Sequence, residues 1–97
     1  MENKYIEYIA LQDLTTYHYK ILLLLNVKSY SQTQLAELLN IKKQNAYEYV
    51  KKLEALNLVE VKKIEGRNKF YKAITNVERI QNFIPGQQRI ELSKLLP

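Results

Sequence analysis

The residues able to do chemistry in this chain are concentrated between Lys42 and Lys72. That stretch holds nine Lys or Arg against four Glu, a surplus equal to the +5 of the whole chain. The remaining residues carry six basic and six acidic side chains and cancel. A surplus confined to one stretch reads as the footprint of a polyanionic partner, although a merely solvated lysine surface gives the same count. Other chemistries are poorly supplied. There is no cysteine, hence no disulfide framework, thiolate metal site or thiol nucleophile. His18 and Asp13 are the sole residues of their types, beside three arginines. His18 alone reads as a surface or half-buried helix residue rather than a ligand or base. A tyrosine nucleophile would need a supporting cluster of basic or metal-binding groups, which these counts do not provide. No paired carboxylates, zinc spacing or phosphate-binding glycine loop occurs. The expectation is a binding protein, not an enzyme, with no cofactor and no metal.

The scaffold that positions the basic stretch must be small. Ninety-seven residues make one domain, and a domain of this size buries about 60–70% of its unfolded surface. With 46% hydrophobic and 26% charged residues the chain is globular. The longest apolar run, Ile21 to Leu25, is far too short to span a bilayer. Residues 1–4 lead into no cleavable apolar stretch, and a cytoplasmic location is expected. Lys, Asn, Ile and Tyr are abundant while Arg is scarce. These residues have AT-rich codons, which hints at an AT-rich genome and a mobile element.

Along the chain, residues 4–14 fit both a short helix and an extended arm. Thr15 is a plausible N-cap, with Leu14 and Tyr19 as a staple across it. The helix it opens runs to about Val27, and its near-continuous apolar content at Ile21, Leu22, Leu24 and Leu25 makes it the central buried helix. Residues 28–30 could form a minor strand. Ser31 and Gln34 make a capping box for a second helix over residues 32–39, stopped by Asn40. A third helix is expected over residues 43–56, with Ala46, Val50, Leu53 and Leu56 as its buried stripe and Asn57 as its stop. Residues 58–64 and 69–74 read as a hairpin whose turn contains Gly66 and Arg67. Val59 and Val61 share one face of the first strand and Glu60 and Lys62 the other. A second capping-box pattern at Thr75 to Glu78 opens a short helix through Val77, Ile80 and Phe83, broken at Pro85 and Gly86. Residues 87–96 are again amphipathic. The fold class is therefore mainly α with a small β-hairpin, a helix-turn-helix followed by a hairpin wing.

A short helix, a tight turn and a longer second helix form a helix-turn-helix unit. Ala36 is small enough for the close crossing, and Ile41 anchors the turn. The second helix then projects its first turns outward, where a DNA major groove would admit them. Residues 14–74 resemble the winged helix-turn-helix regulators of the MarR and ArsR kind. The resemblance rests on residues 35–41 (LAELLNI), on residues 53–59 (LEALNLV), similar to that family's junction between recognition helix and wing, and on Gly66, Arg67 and Tyr71 in the wing. Asn40 and Asn57 stand where the family commonly has Gly, and Lys42 where a Ser or Thr cap is usual. No ligand-sensing feature of the family maps onto this chain.

The resemblance implies roles. Lys43, Gln44, Asn45 and Tyr47 fall in the first turns of the recognition helix, where Gln and Asn can pair with adenine edges and so favour an AT-rich site. Lys42, Lys51 and Lys52 would neutralise phosphates. Arg67 at the wing tip, beside Asn68, would enter a narrow minor groove. Lys62, Lys63, Lys69 and Lys72 would hold the wing against the backbone. Tyr47 and Tyr49 are candidate phosphate contacts, whereas Tyr17, Tyr19 and Tyr71 read as core or interface. Against each stands the plain alternative of a solvated lysine or a helix-starting amide.

Tyr5, Ile6 and Ile9, with Ile80, Phe83, Ile90, Leu92 and Leu95, exceed what a short domain needs for itself. The terminal segments, residues 1–13 and 75–97, are therefore expected to build a homodimer, which would meet two half-sites on duplex DNA. Three functions fit: a transcription regulator; a plasmid or phage accessory protein marking an origin of transfer, replication or partition within a larger DNA-processing complex; and a protein-interaction module, which has no need of the charge between Lys42 and Lys72.

Overall fold

The central helix supplies more buried side chains than any other helix among the described residues. In a computed structural model, which describes residues 3–81, Ile21, Leu22 and Leu25 on helix α2 (Thr16–Val27) are at most 2% exposed. The other elements are α1 (Asn3–Ala10), α3 (Gln32–Leu39), α4 (Lys43–Ala55) and α5 (Val77–Gln81), with the strands β1 (Tyr30–Ser31), β2 (Val59–Glu65) and β3 (Asn68–Ala73); α2 packs against α4 and β3, α3 against α4, and α5 against α1. The strands form one antiparallel sheet in the order β1-β3-β2. No helix among the described residues is long and apolar enough to cross a membrane. Phe83 and the amphipathic stretch 87–96 lie outside the described residues.

Caps delimit the helices much as the sequence indicates. Ser31 Oγ accepts from the Gln34 amide at 3.2 Å, and Gln34 Oε1 accepts from the Ser31 amide at 3.0 Å, the reciprocal box that starts α3. At the start of α2 the box contains a histidine. The Thr15 N–H donates to His18 Nδ1 at 2.9 Å, so Nδ1 is unprotonated and the ring neutral. His18 is 4% exposed, more enclosed than the half-buried position expected of it. Burial first, and the Lys52 ammonium second, hold its pKa below the ordinary value.

Helices α3 and α4 end alike. Asn40 (φ 55°) and Asn57 (φ 60°) are both left-handed. The Ile41 amide donates to Ala36 O and the Asn40 amide to Glu37 O; the Leu58 amide donates to Leu53 O and the Asn57 amide to Glu54 O. These are two Schellman closures. Each hands the chain on at a fixed angle, first into the turn of the helix-turn-helix and then into the wing.

Three expectations are corrected. Helix α5 is capped by Asn76, not Thr75: its Oδ1 accepts from the Arg79 amide at 3.0 Å. The β2 alternation fails at Lys62, because Val61 opposes Tyr71 and Lys63 opposes Phe70, leaving Lys62 as a bulge. Beyond the bulge Ile64 moves to the face shared with Lys69. Finally, the apolar residues of α1 and α5 are not spare. Tyr5 (0% exposed), Ile9 (9%) and Ile80 (2%) belong to the same buried cluster as α2, leaving Ile6 as the exposed member.

Candidate nucleic-acid interface

At 3.6 residues per turn, burying Ala46, Val50 and Leu53 of α4 turns Gln44, Glu48 and Ala55 directly outward. Lys43, Tyr47 and Lys51 then flank the wing side, and Asn45 and Lys52 the opposite side. Lys42, Lys43, Gln44, Asn45, Tyr47 and Lys51 are all exposed. Gln44 Nε2 donates to Glu48 Oε2 at 2.8 Å. The Lys51 ammonium sits 5.6 Å from the Tyr47 ring centroid, a cation–π approach that keeps it beside the tyrosine. Lys42 precedes α4 without a side-chain cap, as its type implies.

The wing is a two-residue hairpin. Glu65 opposes Asn68, and Gly66 takes φ 62° while Arg67 stays at negative φ, the pattern of a turn with glycine first. No atom lies within 4 Å of a Cβ placed on Gly66, so backbone conformation rather than crowding calls for glycine there. Lys62, Lys63, Arg67, Asn68 and Lys69 are exposed. The Lys63 ammonium lies 3.1 Å from the Glu65 carboxylate and 4.9 Å from the Phe70 ring centroid, so part of its charge is already matched.

Between these two parts lies a cleft of about 260 Å³. Ser31, Gln32 and Thr33 at the start of α3 line one side, Tyr47 of α4 another, and Arg67, Asn68 and Lys69 of the wing a third, with Tyr71 among them. The lining has two cations, four hydroxyls and no carboxylate. Free amides and the positive end of the α3 dipole also favour an anion there. Gln32 Nε2 donates to the Tyr71 hydroxyl at 3.4 Å. Burial foremost, then Glu54 and Tyr47, push the Tyr71 phenol above its ordinary pKa, so it stays a hydroxyl donor. Ser31, Gln32, Thr33 and Tyr71 were not among the expected contacts. Their signal was the Ser31–Gln34 box, which marks a helix start and hence unpaired N–H groups.

Two expected phosphate contacts are committed elsewhere. The Lys52 ammonium donates to the Asp13 carbonyl at 2.6 Å and lies 4.0 Å from the Asp13 carboxylate, pinning α4 to the loop before α2. The Lys72 ammonium donates to Asn26 O at 3.1 Å, at the C-terminal end of α2. Tyr49 is likewise drawn inward, its ring centroid 5.4 Å from Tyr17 and 5.0 Å from His18. No group of three His, Cys, Asp or Glu able to hold a metal occurs among the described residues.

The fold is shared with solved regulators. The adhesin competence repressor AdcR of Streptococcus pyogenes superposes with a TM-score of 0.63 at 24% identity, over 80% of this chain and 60% of that one. NMB1585, a MarR family regulator from Neisseria meningitidis, superposes at 0.57 and 22% identity, over 82% of this chain and 58% of that one. The chain thus spans about three fifths of the length of each. No curated protein matches it. The profile of the family described as "Sugar-specific transcriptional regulator TrmB" matches residues 11–76, which take in the helix-turn-helix, the cleft and the wing. The chain belongs to the TrmB family of winged-helix transcriptional regulators.

Proposed function

We propose that this protein is a transcription regulator that binds duplex DNA, with α4 in the major groove, a backbone phosphate in the cleft and Arg67 reaching an adjacent minor groove. The observation that carries the reading is the cleft. It brings the α3 start, Tyr47 and the wing cations Arg67 and Lys69 around one acid-free space. Gln44 and Asn45, exposed in the first turns of α4, favour adenine edges and an AT-rich site. Lys42, Lys43, Lys51, Lys62 and Lys69 are the backbone contacts; Lys52 and Lys72 hold the fold together.

Two copies meeting two half-sites complete the reading. Their contact is the α1–α2 face, where an apolar groove of about 260 Å³ includes exposed Ile6 and Leu23. Sedimentation of wild type against Leu23→Asp tests this: the dimer should give way to monomer.

The decisive experiment is binding to AT-rich duplex DNA as a function of salt. A log–log slope of about −0.9 per phosphate contacted is expected. Lys69→Ala should make that slope shallower by about one contact, and Lys52→Ala should leave it unchanged. Absence of binding at low salt would overturn the proposal in favour of a protein-interaction module. The origin-marking alternative rests on the AT-rich codon composition, and the faint resemblance to the conjugation accessory protein TcpK has no motif behind it. Mapping bound sites to promoters or to a transfer origin separates the two.

A further inference from the structure

Glu48 is out of place for a surface that grips phosphates. It sits in the middle of the outward face of α4, within the basic stretch. The lysines that would ordinarily neutralise it lie three and four residues on, yet Lys51 rests over Tyr47 and Lys52 is bound to Asp13. Among the described residues no cation comes within 4.0 Å of the Glu48 carboxylate, and its hydrogen-bond partner is Gln44 Nε2 at 2.8 Å.

We propose that Gln44 and Glu48 form one adenine-reading unit, in which Gln44 makes the base contact and Glu48 is its positioning residue. This rests on the DNA-binding reading above. The argument is one of donors and acceptors. A free glutamine amide can present its oxygen or its nitrogen to either side. A carboxylate only accepts, so Glu48 holds the Gln44 nitrogen on its own side. The second N–H and the carbonyl oxygen of Gln44 are left facing outward in a fixed order. Adenine offers a matching N7 acceptor and N6 donor in the major groove. Guanine offers two acceptors, N7 and O6, and the fixed Gln44 oxygen would oppose O6. The uncompensated charge has a second effect: it repels phosphates, lowering affinity wherever the base contact is not made. Glu48 therefore trades binding strength for discrimination.

The test uses the full chain and a duplex enriched from a random pool by wild-type protein. Affinities are compared for that duplex, its adenine-to-guanine and adenine-to-7-deazaadenine versions, and an unselected duplex. For wild type, the adenine that Gln44 contacts should be worth roughly tenfold in affinity, and its 7-deaza version should also bind less tightly. Gln44→Ala should abolish both effects at that position. Glu48→Ala should bind unselected duplex more tightly than wild type, most of all at low salt, and lose most of the adenine-over-guanine preference. Glu48→Gln should relax the same preference, because its amide can also donate to the Gln44 oxygen. A pair that only braces the helix gives another result: Glu48→Ala lowers the melting temperature and leaves base preference intact. That outcome overturns the proposal while the DNA-binding reading stands. Failure of wild type to bind any duplex removes both.

Discussion

A lysine tied to a carbonyl elsewhere in the fold is less available to a partner, and two side chains of the basic stretch are tied in this way. Lys52 and Lys72 reach carbonyls 39 and 46 residues away in the chain. No local pattern reports such partners, so these lysines were indistinguishable in sequence from Lys51 and Lys69. Gln44, Asn45, Tyr47 and Arg67 were legible as candidates because their exposure follows from helix phase and turn position. His18 gives a prediction at this scale. Its pKa is lowered in the folded state, so the unfolded chain binds the proton more readily. The stability tied to neutral His18 is fully present above the ordinary value of 6.5 and is lost as pH falls below it, through the lowered folded value. Thermal melts should show wild type weakening on acidification through this range. His18→Gln should be flatter there, because Gln at that position completes the box without titrating.

Elements closed by neighbouring residues were the readable ones. The Ser31–Gln34 box and the asparagine stops need only residues three to five apart, and they place α3 and α4 within a residue of expectation. The bulge at Lys62 was not readable, since it is set by how β2 meets β3 rather than by β2 itself. The apolar pattern of residues 4–14 fits helix and arm equally, and packing against the core decides for the helix. The left-handed stop of α3 can be tested directly. Asn40→Gly should be neutral or slightly stabilising, because glycine meets no penalty at φ 55°. Asn40→Val should cost about 1–2 kcal/mol or more. Urea midpoints at constant slope would measure both. DNA affinity at saturating stability should change little, since Asn40 lies outside the cleft.

The molecule as a whole is closed by the two ends of its described part. Tyr5 from α1 and Ile80 from α5 enter one cluster with Leu25, Leu53 and Val59. Asn26 Nδ2 donates to the Tyr5 hydroxyl at 3.4 Å, and burial holds that phenol above its ordinary pKa. The Arg79 guanidinium grips both oxygens of Glu60, and the Asn57 amide donates to Arg79 O, tying α5 to the wing and to the end of α4. Tyr5→Ala should therefore cost about 3–5 kcal/mol, as truncating a buried aromatic ring does, a large share of the roughly 5–15 kcal/mol typical of a domain. Tyr5→Phe should cost only about 0.5–1.5 kcal/mol, the worth of one hydrogen bond. Equilibrium unfolding in urea would separate them.

A core shut by residues from both ends also governs how the chain folds as it is made. Domains fold as units as synthesis proceeds from the N-terminus. Here the helix-turn-helix can be complete on the ribosome while Ile80, a wall of its core, is still to be added. Until it emerges, the buried cluster that Ile80 joins is incomplete. Final closure is thus a late event, and a nascent chain arrested before residue 80 should remain sensitive to protease where the released protein is resistant.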